Sequence, residues 1–69
     1  MADMEPVDSS YLHSIGYDPT VPGIIIKFQD GRTHGYPGTT EADMAALKAA
    51  PSAGKHFHRH LKNRQHVKL

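Results

Sequence analysis

The sequence predicts an α+β domain in the order βββαα: a three-stranded antiparallel meander, then two helices packed on one face of the sheet. Three observations predict it. β-branched and aromatic residues dominate an alternating run from Gly23 to Tyr36 with an Asp30-Gly31 turn inside it, alanine-rich helical spacing begins after Pro37-Gly38, and Pro51-Ser52 divides the helical part in two.

Met1–Pro6 shows no periodicity and reads as a loosely attached, disordered segment, with residues 7–69 as a single domain. Ser9-Ser10 leads into Tyr11–Tyr17, a first strand of about seven to nine residues that Asp18-Pro19 ends. Thr20–Gly23, with Pro22 inside it, is a loop into the central hairpin. Two hairpin registers are open. A two-residue turn pairs Gln29 with Arg32 and sets Tyr36 opposite Ile25. A three-residue turn of Gln29, Asp30 and Gly31, with Gly31 in the left-handed region, pairs Phe28 with Arg32, Ile26 with His34 and Ile24 with Tyr36. The second is preferred because it gathers Ile24, Ile26, Phe28 and Tyr36 on one face and leaves Ile25 on the more exposed one.

After the sheet, Thr39 or Thr40 caps a helix whose Thr40-x-x-Asp43 has the form of a capping box, and Pro51 ends that helix at Ala50. Ser52 caps a second helix running to about Asn63, with Ala53, Phe57, Leu61 and Arg64 on one face. Phe57 and Leu61 are expected to pack on the sheet. Val67 and Leu69 alternate in the tail, which suits a short edge strand.

Sixty-nine residues allow one small core and no deep enclosed active site. Without cysteine there is neither a disulfide framework nor a thiolate metal site. No signal-peptide core and no bilayer-length apolar run is present, so a soluble cytoplasmic protein without membrane contact is expected. Charge is divided sharply: residues 1–43 hold all seven acids, whereas residues 44–69 hold six of the eight Lys and Arg residues and no acid. A basic end of this kind suits a polyanion or an acidic partner, and it can also serve only to attract the acidic half of the same fold.

Three chemistries bear on these residues. His56-x-His58-x-His60 puts only His56 and His60 on one helical face, and no second ligand pair accompanies them, so no metal or other cofactor is expected. Ser9 or Ser10 with a histidine and Asp8 could be imagined as a hydrolytic set, but there is no nucleophile-elbow pattern, and the expectation is no catalytic residue. Lys55, Arg59, Lys62, Arg64 and Lys68 form a basic stripe along and beyond the second helix, interleaved with His56, His58 and His66. Such a stripe would contact the phosphates of RNA or another nucleic acid, with Tyr11, Tyr17 and Tyr36 available to stack on bases. The alternative is a protein-interaction module that docks on an acidic protein surface.

The motifs Val7-Asp8-Ser9-Ser10, Ile15-Gly16-Tyr17-Asp18, Phe28-x-x-Gly31, His34-Gly35-Tyr36 and Ser52-x-Gly54-x-x-Phe57 together resemble the KTSC domain, over roughly residues 7–66. That domain sits at the C-terminus of some lysyl-tRNA synthetases and occurs as a free-standing small bacterial protein. The resemblance implies a small non-catalytic binding module with a suggested role in RNA binding. Two positions depart from the family pattern: its central Tyr-x-Tyr is His34-Gly35-Tyr36 here, and an asparagine position after the second-helix aromatic is His58. His34 and Tyr36 are then either an aromatic platform for bases, with His34 the weaker partner, or core rings. In the second case His34 is neutral and hydrogen-bonded, or at the sheet's margin.

Overall fold

A computed structural model of the chain describes residues 4–69. Five strands, β1 (Glu5–Pro6), β2 (Leu12–Asp18), β3 (Gly23–Phe28), β4 (Thr33–Pro37) and β5 (Val67–Lys68), form one antiparallel sheet in the order of the sequence. Helices α1 (Glu41–Ala49) and α2 (Ala53–His60) lie between β4 and β5 in the chain. The fold is α+β as expected, with five strands where the sequence reading placed three plus an optional edge strand. The strand not expected, β1, is two residues long, too short for alternation to signal. β5 falls in the tail where Val67 and Leu69 alternate. β1 corrects the expectation of a disordered segment through Pro6: Glu5 pairs with Ile15 and Pro6 with Ser14, and the Glu5 carboxylate meets Lys48 of α1. The remainder of that expected segment, residues 1–3, lies outside the described residues.

The central hairpin takes the three-residue turn. Phe28 N donates to Arg32 O at 2.8 Å and Gly31 N to Phe28 O at 3.0 Å, while Gly31 sits at φ 94°, a conformation glycine enters without a Cβ penalty. Ile24 therefore faces Tyr36 and Ile26 faces His34. The neighbouring strand β2 carries an irregularity between Leu12 and Ser14, after which Ile15 pairs with Ile26. Leu12 and Ile15 are three apart and would point to opposite faces of a regular strand. With His13 bulged out, both are fully buried on the helix side.

Both helices begin as their cap residues dictate. Thr40 Oγ1 accepts from Asp43 N at 3.2 Å while Asp43 Oδ2 accepts from Thr40 N at 2.9 Å, a complete capping box. α1 stops at Ala50, whose ψ of 142° is the extended conformation a following proline requires. Ser52 Oγ accepts from Lys55 N at 3.3 Å to open α2. That helix ends at His60, about one turn before the expected Asn63, because the Phe57 carbonyl accepts from both Leu61 N (2.8 Å) and Lys62 N (2.9 Å) and the chain turns away.

The core lies between the sheet and the helices: Leu12, Ile15, Ile24, Ile26, Phe28 and Tyr36 below, Leu47, Ala53, Phe57 and Leu61 above. Phe57 is its hub, with its ring edge-on to Phe28 (5.5 Å) and Tyr36 (5.7 Å). Ile25 corrects an expectation. It lies on the opposite face yet is only 6% exposed. Its cross-strand neighbours are Gly16 and Gly35, and a Cβ on Gly35 would lie 3.3 Å from Ile25 Cδ1, 3.4 Å from Val21 Cγ1 and 3.4 Å from Val67 Cγ2. The two glycines leave a trough for the Ile25 side chain, and the β2–β3 loop and β5 close it.

Candidate nucleic-acid interface

Ala53, Phe57 and Leu61 recur at intervals of four and hold α2 on the sheet, so Lys55, Arg59 and Lys62, at spacings of four and three, share the outward side. All three are exposed, as are Arg64 and Lys68. The five bases divide into a strip and two outliers. Lys55, Arg59 and Lys62 make the strip. Arg64 lies in the turn beyond it, where its guanidinium donates to Gly38 O at 3.4 Å, and Lys68 is carried by edge strand β5 opposite His34. The ion pairs among the described residues are Arg32 with Asp30 and Lys48 with Glu5, so none of the five is neutralised by a carboxylate there. Among the described residues, the attraction between the acidic and basic halves makes no ion pair on this surface.

Beside the strip runs an open groove of about 420 Å³ lined by Ala50, Pro51, Ser52, Lys55, His56, Arg59 and His60. It contains no carboxylate. The His56 and His60 rings are 4.4 Å apart, and burial followed by the neighbouring His60 pushes the His56 imidazole below its ordinary value. Among the described residues, no group of three or more His, Cys, Asp or Glu is arranged to hold a metal ion. No described helix is long and apolar enough to cross a membrane.

The expected platform of His34 and Tyr36 is corrected. Tyr36 is 2% exposed beneath Phe57, with no face to offer a base, and burial pushes its phenol up to about 12. His34 is half-buried and flanked in the sheet by Ile26 of β3 and Lys68 of β5, its ring stacked on His66 at 4.8 Å and edge-on to Phe28 at 5.2 Å. Burial, then the nearby His66, Arg32 and Lys68, lower the His34 pKa.

A second set of rings lies where Tyr11 meets α2. Tyr11 packs on Phe28 (5.2 Å) and Phe57 (5.8 Å), and His58 stacks on Tyr11 at 5.3 Å with 26° between the planes. The rings thus climb from the core through Tyr11, which is 37% exposed, to the exposed His58. The serine and glycine motifs meet at the same place. Ser9 Oγ accepts from Tyr11 N and Leu12 N, both at 3.1 Å, and a Cβ on Gly54 would lie 3.2 Å from that oxygen. Ser9 is therefore occupied in shaping the backbone, and Gly54 lets α2 approach it. Sequence reasoning named Tyr11 as a stacking candidate but could not pair it with His58, forty-seven positions away.

The chain matches the KTSC domain over residues 8–64. Among solved structures it is similar to the crystal structure of a KTSC domain protein from Yersinia pestis, with 32% sequence identity and a TM-score of 0.86 over 100% of this chain and 99% of that one. No curated protein matches it. With the family pattern spanning most of the chain and the whole fold shared with that relative, this protein belongs to the KTSC domain family.

Proposed function

We propose that this domain is a non-catalytic module that binds RNA through the outward side of α2, with phosphates lying along Lys55, Arg59 and Lys62. The observation that carries the reading is the carboxylate-free groove beside those residues, whose bases are not ion-paired among the described residues. Leaving several cations unneutralised on one face gains the fold nothing, whereas phosphate contacts there would release condensed counterions. Three such contacts on a single strand predict that log K falls with log salt at a slope of about −2. Fluorescence anisotropy of a labelled mixed-sequence RNA between low and physiological salt measures it. The double reversal Arg59→Glu/Lys62→Glu is expected to lower affinity at least tenfold across sequences while the melting curve stays cooperative. Equal affinity in that variant removes RNA binding by this face and favours a protein partner docked elsewhere.

A further inference from the structure

We infer that the groove between the Ser9–Tyr11 segment and the start of α2 is a seat for an unpaired nucleobase, with the Tyr11–His58 stack as its wall. This rests on the RNA reading above and deepens it by naming single-stranded nucleic acid as the ligand. The groove measures about 420 Å³ and is lined by Ser10, Tyr11, Gly54, Lys55 and His58, with Asp8 at its side. Three features suit a base there. The stack is anchored: Tyr11 rests on Phe28 and Phe57, its amide is held by Ser9 Oγ, and its carbonyl accepts from Gln29 N at 3.1 Å. The same Gln29 donates its side-chain amide to Ser9 O at 3.0 Å and Leu12 O at 3.1 Å, fastening the segment to the hairpin turn. A ring so fixed loses little conformational freedom when a base stacks on it.

The second feature is the composition of the seat. Asp8 disfavours a phosphate in it, while its carboxylate and the Ser10 hydroxyl are partners for the amino and carbonyl edges of a base. The third is continuity. Lys55 lines this groove and also the carboxylate-free one beside the α2 strip, so a strand whose phosphate sits on Lys55 carries its neighbouring base to the ring wall. A paired base in a duplex is already stacked and presents only its edge, so the seat selects unpaired nucleotides.

Anisotropy at pH 8, with an eight-nucleotide RNA single strand, its duplex and an abasic strand of equal charge, tests the inference. The wild-type protein is expected to prefer the single strand over both others. His58→Ala, a change at an exposed position, should cost about five- to a hundredfold in single-strand affinity and leave the salt slope unchanged. Tyr11→Phe should stay within about twofold, because the ring face is kept, and Tyr11→Leu should match His58→Ala. If Tyr11→Leu fails to give a cooperative melt, the His58→Ala and abasic-strand results decide. Single-strand affinity unchanged in His58→Ala, or a duplex or abasic strand bound as tightly as the single strand, overturns the base seat. Loss of binding in Arg59→Glu/Lys62→Glu alongside an unaffected His58→Ala overturns the seat alone. Binding indifferent to both overturns the α2 reading as well.

Discussion

Thr39 is where a single hydroxyl joins the sheet to the start of α1, and replacing it by valine isolates that hydroxyl. Its Oγ1 accepts from Ile24 N at 2.7 Å and donates to Tyr36 O at 2.6 Å, in a site where Thr39 is 3% exposed. Valine keeps the shape and removes both bonds. The Tyr36 carbonyl keeps the Thr39 amide as a donor at 3.4 Å, so its loss is modest, about 1 kcal/mol. The Ile24 amide is left buried without its acceptor, which costs about 1–3 kcal/mol. Thr39→Val should therefore destabilise by about 2–4 kcal/mol, and a domain this small should melt roughly 10–25 °C lower. Thr39→Ser keeps the hydroxyl and loses one methyl, worth about 0.8 kcal/mol. Thermal melts by circular dichroism compare the three proteins. A valine variant that melts within a few degrees of the parent, or above the serine variant, would show that this hydroxyl does not bridge the two strands.

The two faces of β3 and the histidines supply the remaining predictions. Ile26→Ala and Ile25→Ala should each cost about 2–5 kcal/mol, since both side chains are buried although they point to opposite faces, and urea midpoints with unchanged slope measure this; an Ile25→Ala cost below about 1 kcal/mol would mean that β5 and Val21 do not cover that face. For His34 and His56 the native pKa lies below the unfolded value of about 6.5, so the unfolded chain binds more protons in that range. Stability should be level above about pH 7 and fall as pH drops below about 6.5 through the lowered native values, and His34→Gln should reduce the fall; a denaturation midpoint that holds steady or rises from pH 7 to pH 5 contradicts the assignment.

Much of the scaffold was legible because its signals are local. Asp30-Gly31 between alternating apolar runs marks the hairpin, and gathering Ile24, Ile26, Phe28 and Tyr36 on one face selects its three-residue turn, and with it the partners of Ile24 and Ile26. Thr40, Ser52 and Pro51 mark helix ends through bonds made within three residues or through a steric rule on the preceding one. What escaped depends on contacts between distant segments. Glu5–Pro6 has no pattern of its own and becomes a strand because β2 offers it an edge and Lys48 an ion pair. Ile25 is covered only when the tail returns as β5, thirty positions after β4. At the candidate site the exposure of the α2 bases followed from helical spacing alone. The roles of the rings did not: Tyr36 is enclosed by a phenylalanine from α2, and Tyr11 gains its stacking partner from the same helix.

The sheet's outermost strands, β1 and β5, are two residues long apiece, and β1 contains Pro6. A strand from another molecule can add to a sheet only along a row of unsatisfied amides and carbonyls, and proline has no amide to give. Among the described residues, neither of these two strands offers more than a stub of such a row. On the RNA reading proposed above, copies of this domain crowded along one strand would meet edge to edge at high local concentration, and these curtailed strands would let them sit side by side as separate molecules instead of templating a continuous intermolecular sheet.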